Sequence, residues 1–192
     1  MNITQKYLPV PSERRPGLKI LPIKYIVCHD TGNLNSTAMN NVDYYIKTAN
    51  LEKASAHVFI DDAQIIECIP LSEKAYHVRR VVSNAIDEAL AIELCYFTDL
   101  ERSKLAYNNY VEYIRGLCQK YNLDPLKQVI GHYILDPTRR KDPVNSFSRI
   151  GKTWDDFIKD VTGTPPFSKT KNDIKKEIAQ ILQKVGELIQ KL

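Results

Sequence analysis

The feature that most narrows what this chain can fold into is a pair of short apolar runs bounded by turn formers. Ile23 to Cys28 (IKYIVC) is rich in β-branched residues, with Pro22 before it and Asp30-Thr31-Gly32-Asn33 after it. Ala89 to Cys95 (ALAIELC) is the second, and Glu93 is its only charge. Runs of this length and composition read as buried strands. A lone carboxylate inside one needs a reason, because a buried charge without a partner is costly.

Between and after these runs the periodicity changes. Ser36 is expected to cap a helix whose apolar positions are Val42, Tyr45, Ile46 and Ala49. His57 to Ile60 and Gln64 to Ile69 read as a hairpin turning through Asp61-Asp62-Ala63. From Leu105 to Tyr121 the residues Tyr107, Tyr110, Val111, Ile114, Leu117, Cys118 and Tyr121 fall on one helical face. A short strand is expected over Gln128 to Ile130, ending in Gly131-His132, and Thr153 is expected to cap a last helix over Trp154 to Val161. The order β-α-β-β-β-α-β-α mixes hairpin and crossover connections. It predicts an α/β domain with a mixed central β-sheet flanked by helices.

The domain organisation expected is a body over residues 1–161, a linker over 162–170 and an amphipathic helix over 171–192. The first twenty residues carry Pro9, Pro11, Pro16 and Gly17, which suits an extended arm. In the tail Ile174, Ile178, Ile181, Val185, Leu188 and Leu192 alternate spacings of 4 and 3. That is a coiled-coil seam, or else the apolar face of a helix folded back on the body. Gly186 weakens the helix by about 1 kcal/mol.

Composition removes several classes of function. With 192 residues, 9% aromatics, 7 Gly and 10 Pro, the chain is neither collagenous nor low-complexity. No apolar run reaches the roughly 18 to 20 residues of a membrane span, and Met1 to Lys6 is polar where a secretory signal carries its apolar core. Synthesis in the cytoplasm without a signal peptide, and no stable membrane insertion, are the expectations. Of the net charge of +4, six Lys against three acidic residues in 162–192 account for +3. The body is nearly neutral, which argues against nucleic acid as a partner. Cys28, Cys68, Cys95 and Cys118 lie far apart without a CxxC pair and are expected to be buried free thiols.

Two of the four histidines, His29 and His132, directly follow predicted strands, where open α/β sheets place functional side chains. Asp142 stands ten residues after His132 in a segment stiffened by Pro137 and Pro143. Two imidazoles and a carboxylate form a three-ligand zinc set with one open position. On spacing alone, the histidines can equally cap strand ends or bond backbone groups.

Four ordered stretches sharpen this. IKYIVCHDTGN (Ile23 to Asn33), SAHVFIDDAQIIECIPLSEKAYHV (Ser55 to Val78), LAIELC (Leu90 to Cys95) and VIGHYILDPTRRKDP (Val129 to Pro143) resemble, in order, the blocks of the type-2 zinc-dependent N-acetylmuramoyl-L-alanine amidases. That group includes phage endolysins and peptidoglycan recognition proteins. The resemblance implies Zn²⁺ held by His29, His132 and Asp142, with Glu93 as the catalytic carboxylate. Two residues before the third ligand the family commonly has a Lys that steadies the oxyanion. Here Arg140 takes that place, and Lys141 is its rival. His57, Tyr76 and His77 match blocks that line the substrate groove, although a buried histidine satisfied by its surroundings is the competing reading of His57. The stretch from His77 to Ala89, with Arg79, Arg80 and Asn84, departs from the family's short connection, and Val144 replaces a common glycine.

The function implied is hydrolysis of the amide between N-acetylmuramic acid and L-alanine of peptidoglycan, in a phage- or prophage-type endolysin that reaches the wall through a separate membrane pore. A cytosolic amidase recycling muropeptides and a non-catalytic peptidoglycan-binding module are the alternatives. Self-association or partner docking is expected of residues 171–192.

Overall fold

In the computed structural model of this chain residues 3–163 are described. Along the chain they form β1 (Ile3–Gln5), β2 (Tyr25–Asp30), α1 (Ala38–Lys47), β3 (Val58–Ile60), β4 (Ile65–Glu67), α2 (Ala85–Glu88), β5 (Ala89–Leu94), α3 (Leu100–Tyr121), α4 (Pro125–Gln128), β6 (Val129–Gly131), α5 (His132–Leu135), α6 (Val144–Ser148) and α7 (Trp154–Thr162). The six strands make one mixed sheet in the order β1-β4-β3-β5-β2-β6. Only β3 and β4 pair antiparallel; every other neighbouring pair is parallel. The expected α/β class and the hairpin are both present. The expected helix over 171–192, and the linker from residue 164 onward, lie outside the described residues.

The two apolar runs are β2 and β5, side by side in the sheet and buried along most of their length. Helix α3 packs Tyr107, Tyr110, Val111, Ile114, Leu117 and Cys118 into the same core. It starts at Asp99, whose side chain accepts from the Glu101 and Arg102 amides, and it stops at Asn122, which adopts the left-handed conformation with φ of 53°. Helix α7 begins with a reciprocal pair. Thr153 Oγ1 accepts from the Asp156 amide at 3.1 Å, and Asp156 Oδ2 accepts from the Thr153 amide at 3.0 Å. All four thiols are free and buried. Among the described residues no helix is long and apolar enough to cross a membrane.

Several boundaries differ from the sequence reading: α1 is capped by Thr37, whose hydroxyl accepts from the Asn40 amide, in place of Ser36, and α3 begins at Leu100, where Asp99 caps it, five residues before the expected start. Strand β2 runs two residues further, through His29 and Asp30, because β5 continues the ladder beside it with His29 opposite Glu93 and Asp30 opposite Leu94. The arm is also more than an overlay, since β1 pairs in parallel with β4 and forms the edge of the sheet. Behind β1 the arm is anchored by Leu8 and by Arg14, which is only 1% exposed. The Arg14 guanidinium lies 4.2 Å from the centre of the Tyr45 ring and donates to Thr48 Oγ1 and to the carbonyls of Thr48 and Ala54. Next to it Arg15 forks the Glu73 carboxylate at 2.8 and 2.7 Å.

Candidate metal centre

Three neighbouring strands deliver the site. Because His29 and Glu93 are opposite one another in a parallel pair, their side chains leave the sheet on the same face. On the other side of β2, Cys28 is opposite Gly131, so the chain leaves β6 with His132 beside His29. A Cβ on Gly131 would stand 2.5 Å from the Tyr133 ring, so any larger residue at this corner would have to push that ring aside. Tyr110 fastens the end of the ladder from α3. Its hydroxyl accepts from the His29 amide at 3.1 Å and lies 3.2 and 3.0 Å from the carbonyl oxygens of His29 and Ile92.

Asp142 returns from the segment after α5 to close the group. One of its oxygens, Oδ2, lies 3.1 Å from His29 Nδ1 and 2.9 Å from His132 Nδ1. The three donor atoms are all within 4.8 Å of one another, and both imidazoles are buried. On its other edge His29 Nε2 is 3.1 Å from His77 Nδ1. A hydrogen bond to the far ring nitrogen fixes the tautomer of a ligating histidine. Since Nδ1 of His29 faces Asp142, a ring that bound a metal through Nδ1 would carry its proton on Nε2, where His77 Nδ1 can accept it.

The electrostatics suit a cation. Burial, reinforced by His132, pushes the His29 pKa down to about 4 despite the Asp142 carboxylate, so the ring is neutral near pH 7. Burial alone would raise Asp142, but hydrogen bonds from His132 and His29 hold it well below the usual carboxylate range. Glu93 goes the other way. Burial first, then the negative charges of Asp142 and Asp30, raise it well above its ordinary value, and Arg140 opposes them. Among the described residues three buried side-chain atoms lack a hydrogen-bond partner: Asp30 Oδ2, His77 Nε2 and Glu93 Oε2. All three belong to residues in or beside this cluster. Such orphans are rare in folded proteins and mark a site built for something else to occupy. Two imidazoles with one carboxylate form a borderline nitrogen and oxygen donor set, which fits Zn²⁺.

A cleft of about 350 Å³ meets the cluster at Asp142 and is lined in part by Asp30, Thr31, Arg139, Arg140, Lys141 and Asp142, while His29, His132 and Glu93 lie behind it. Arg140 and Lys141 therefore both reach it. Arg140 also acts electrostatically on His29 and on Glu93. His77, expected to line the substrate groove, stands against His29 instead. Tyr76 is half-buried, tied through its backbone to Ser55 and not part of the cleft lining.

His57 is a correction. It is fully buried, Nδ1 accepts from the Ala91 amide at 2.9 Å, and Nε2 donates to the Glu73 carbonyl at 2.9 Å. With both ring nitrogens committed to backbone, it joins β5 to the segment after β4 and offers nothing to a substrate. Asp30 was missed. It reads as a turn residue in the sequence, whereas the register places it at the buried end of β2, where burial raises its pKa to about 6. The signal that singled out Glu93, a carboxylate in an apolar strand, applies one residue beyond His29 as well.

Fold and site together set two imidazoles and one carboxylate, a donor group that could hold a single metal ion, at the strand ends of a mixed sheet. The model of the N-acetylmuramoyl-L-alanine amidase family matches residues 19–145, a span that holds His29, Glu93, His132 and Asp142, and the chain belongs to this family. The N-acetylmuramoyl-L-alanine amidase BlyA of Bacillus subtilis (strain 168) is 32% identical over 172 residues, which is 79% of this chain and 45% of BlyA. The chain spans about half the length of the curated relatives it matches. Among solved structures, PlyL is 30% identical with a TM-score of 0.67, over 84% of this chain and 97% of that one. A mutant endolysin from Bacillus subtilis is 25% identical with a TM-score of 0.71, over 84% and 99%.

Proposed function

We propose that this chain is a zinc-dependent N-acetylmuramoyl-L-alanine amidase that cleaves the bond between N-acetylmuramic acid and L-alanine of the stem peptide. The observation that carries the reading is the convergence of His29, His132 and Asp142 on one point, with the unpartnered carboxylate of Glu93 in register beside His29. Bound there, Zn²⁺ supplies a Lewis acid that polarises a carbonyl oxygen and makes water acidic near neutral pH.

The chain's own residues supply the rest. His29 stays neutral by burial, and its Nε2 proton rests on His77, which holds the ring in place. Glu93 takes the proton of the attacking water and passes it to the leaving alanine nitrogen, a general base and then a general acid. Its raised pKa serves the second half of that task, because a carboxyl that binds its proton well can carry it between two atoms. Arg140 donates to the oxyanion as the carbonyl carbon becomes tetrahedral. That Arg140 acts on both His29 and Glu93 favours it over Lys141 for this role. We assign the catalytic body to residues 1–161 and any self-association to 171–192. Similarity to an endolysin structure supports a lytic role on the cell wall over recycling of small fragments.

The test is a defined muropeptide with identification of the ends released. New alanine amines are expected, lost on chelation and restored by Zn²⁺. A zinc-loaded protein that binds cell walls and releases no ends is a binding module instead.

A further inference from the structure

The segment after His77 carries two arginines that the reaction does not use, and one of them reaches across to the segment that bears Asp142. Arg79 Nε donates to Asp136 Oδ2 at 3.0 Å and Arg79 Nη2 to Asp136 Oδ1 at 2.9 Å, a two-pronged fork. The Asp136 side chain is 2% exposed and the Arg79 side chain 43%. Arg139 is the next cation, at a distance of 3.8 Å. A carboxylate so buried needs its partner, and the fork is what supplies it.

The backbone of Asp136 does a second job. Its amide donates to the His132 carbonyl at 3.0 Å and so closes α5. Its carbonyl accepts from the amides of Arg139 and Arg140 at 3.1 and 2.9 Å and so starts the turn that presents Arg140. Six residues on, the Asp142 carbonyl accepts from the Tyr133 amide at 3.1 Å, which closes the loop onto the same short helix. At the other end of the fork, the Arg79 carbonyl accepts from the Val82 and Ser83 amides at 3.0 and 3.2 Å. Val78 and Leu135, one residue before each partner, share a small apolar cluster with Val27 and Ala89. The fork therefore rests on packed ground at both ends.

We infer that Arg79 is a positioning residue: by forking Asp136 it sets the loop from which Arg140 and the third ligand, Asp142, reach the metal centre. The inference rests on the zinc reading of the site. The side-chain hydrogen bonds of Arg79 go to Asp136 and to none of the three donors, so it acts on them through the loop. The sequence from Arg79 to Asn84 thus has an architectural purpose, bracing the ligand loop from the His77 side.

The experiment uses the full chain with Arg79→Ala, Arg79→Lys and Asp136→Asn, and the double variant Arg79→Ala/Asp136→Asn. Zn²⁺ affinity is measured by competition with a chromogenic chelator, kcat and KM on a defined muropeptide, and folding by thermal melting. For Arg79→Ala, a loss of about tenfold in Zn²⁺ affinity is expected, in the range seen for supports of metal ligands. A comparable fall in kcat should accompany it, with KM within twofold. Arg79→Lys should recover part of both, since an ammonium pairs with the carboxylate but cannot fork it. The double variant should lose no more than the worse single one. If Arg79→Ala does not fold, Arg79→Lys and Asp136→Asn carry the same comparison. A folded Arg79→Ala or Asp136→Asn with unchanged Zn²⁺ affinity overturns the inference, as does a change confined to KM, which would make Arg79 a substrate contact. Should the wild-type chain bind Zn²⁺ yet cleave no muropeptide, the amidase reading fails while the affinity series still decides the role of Arg79.

Discussion

Replacing Glu93 by Gln should separate catalysis from stability in opposite directions. The substitution keeps the shape of the side chain and removes the charge. General acid and base catalysis by a positioned side chain contributes about 10² to 10⁴ in rate. A fall in kcat of that size is expected, or roughly 3–5 kcal/mol of transition-state stabilisation. KM and Zn²⁺ content should stay near wild type, because Glu93 is not among the three donors. The stability effect follows from the raised pKa of Glu93. A carboxyl whose folded pKa lies above its unfolded one binds more protons in the folded state. Stability is then lost as pH rises from the unfolded value, near 4.3, toward the folded one. Each unit of difference costs about 1.4 kcal/mol at neutral pH. Metal-free Glu93→Gln should therefore melt higher than metal-free wild type at pH 7, by roughly 3–6 °C for one such unit in a chain of this size, and no higher at pH 4. Melting curves at the two pH values and single-turnover rates on one muropeptide read both effects. Activity within threefold of wild type removes Glu93 from the mechanism. A lower melting temperature at pH 7 refutes the electrostatic argument.

Other perturbations address the remaining parts of the site. Asp142→Asn should cost most of the bound Zn²⁺ after dialysis, measured by metal analysis, and with it activity; stoichiometric Zn²⁺ in that variant would remove Asp142 from the ligand set. Arg140→Lys should retain activity within about tenfold, while Arg140→Ala loses on the order of 10² in kcat, the scale of one oxyanion donor. If Lys141→Ala produces the larger loss, the roles are reversed. His29 and His57 are each lowered to about 4 by burial, so the unfolded chain takes up protons near pH 6.5 that the folded metal-free chain refuses. Stability should consequently fall as pH drops from 6.5 toward 4, by up to about 1.4 kcal/mol per pH unit for each ring. The raised Glu93 and Asp30 carboxyls act in the opposite sense over the same range, so urea unfolding of metal-free Glu93→Gln/Asp30→Asn at pH 7 and pH 5 isolates the histidine effect, and equal midpoints in that variant contradict it.

How far the sequence reaches depends on which kind of contact a residue makes. His29, Glu93 and His132 are legible because each sits in or directly after a short apolar run, where a polar side chain needs a purpose. Asp142 needs more, since only the order of four similar stretches ties it to His132. His57 misleads because composition cannot tell which groups meet a ring nitrogen, and here both are backbone groups of other segments. Arg79 and Asp136 are 57 positions apart, and no local pattern pairs them. Among the short helices, α2, α4 and α5 have four residues each, too few to display a period. Asp30 is hidden by its neighbours Thr31 and Gly32, which say turn before the strand has ended.

The arm that borders the sheet also bears on how the molecule can be cut. The family match covers 19–145, but the folding unit is wider at both ends. Removing residues 1–18 strips β1 from β4 and takes Leu8 and Arg14 out of the interior, leaving an open strand edge of the kind that pairs with other chains. Stopping at 145 discards Phe147, Phe157 and Val161 from the core. A fragment trimmed to the recognisable motif blocks would keep every proposed catalytic group and aggregate before it could use them.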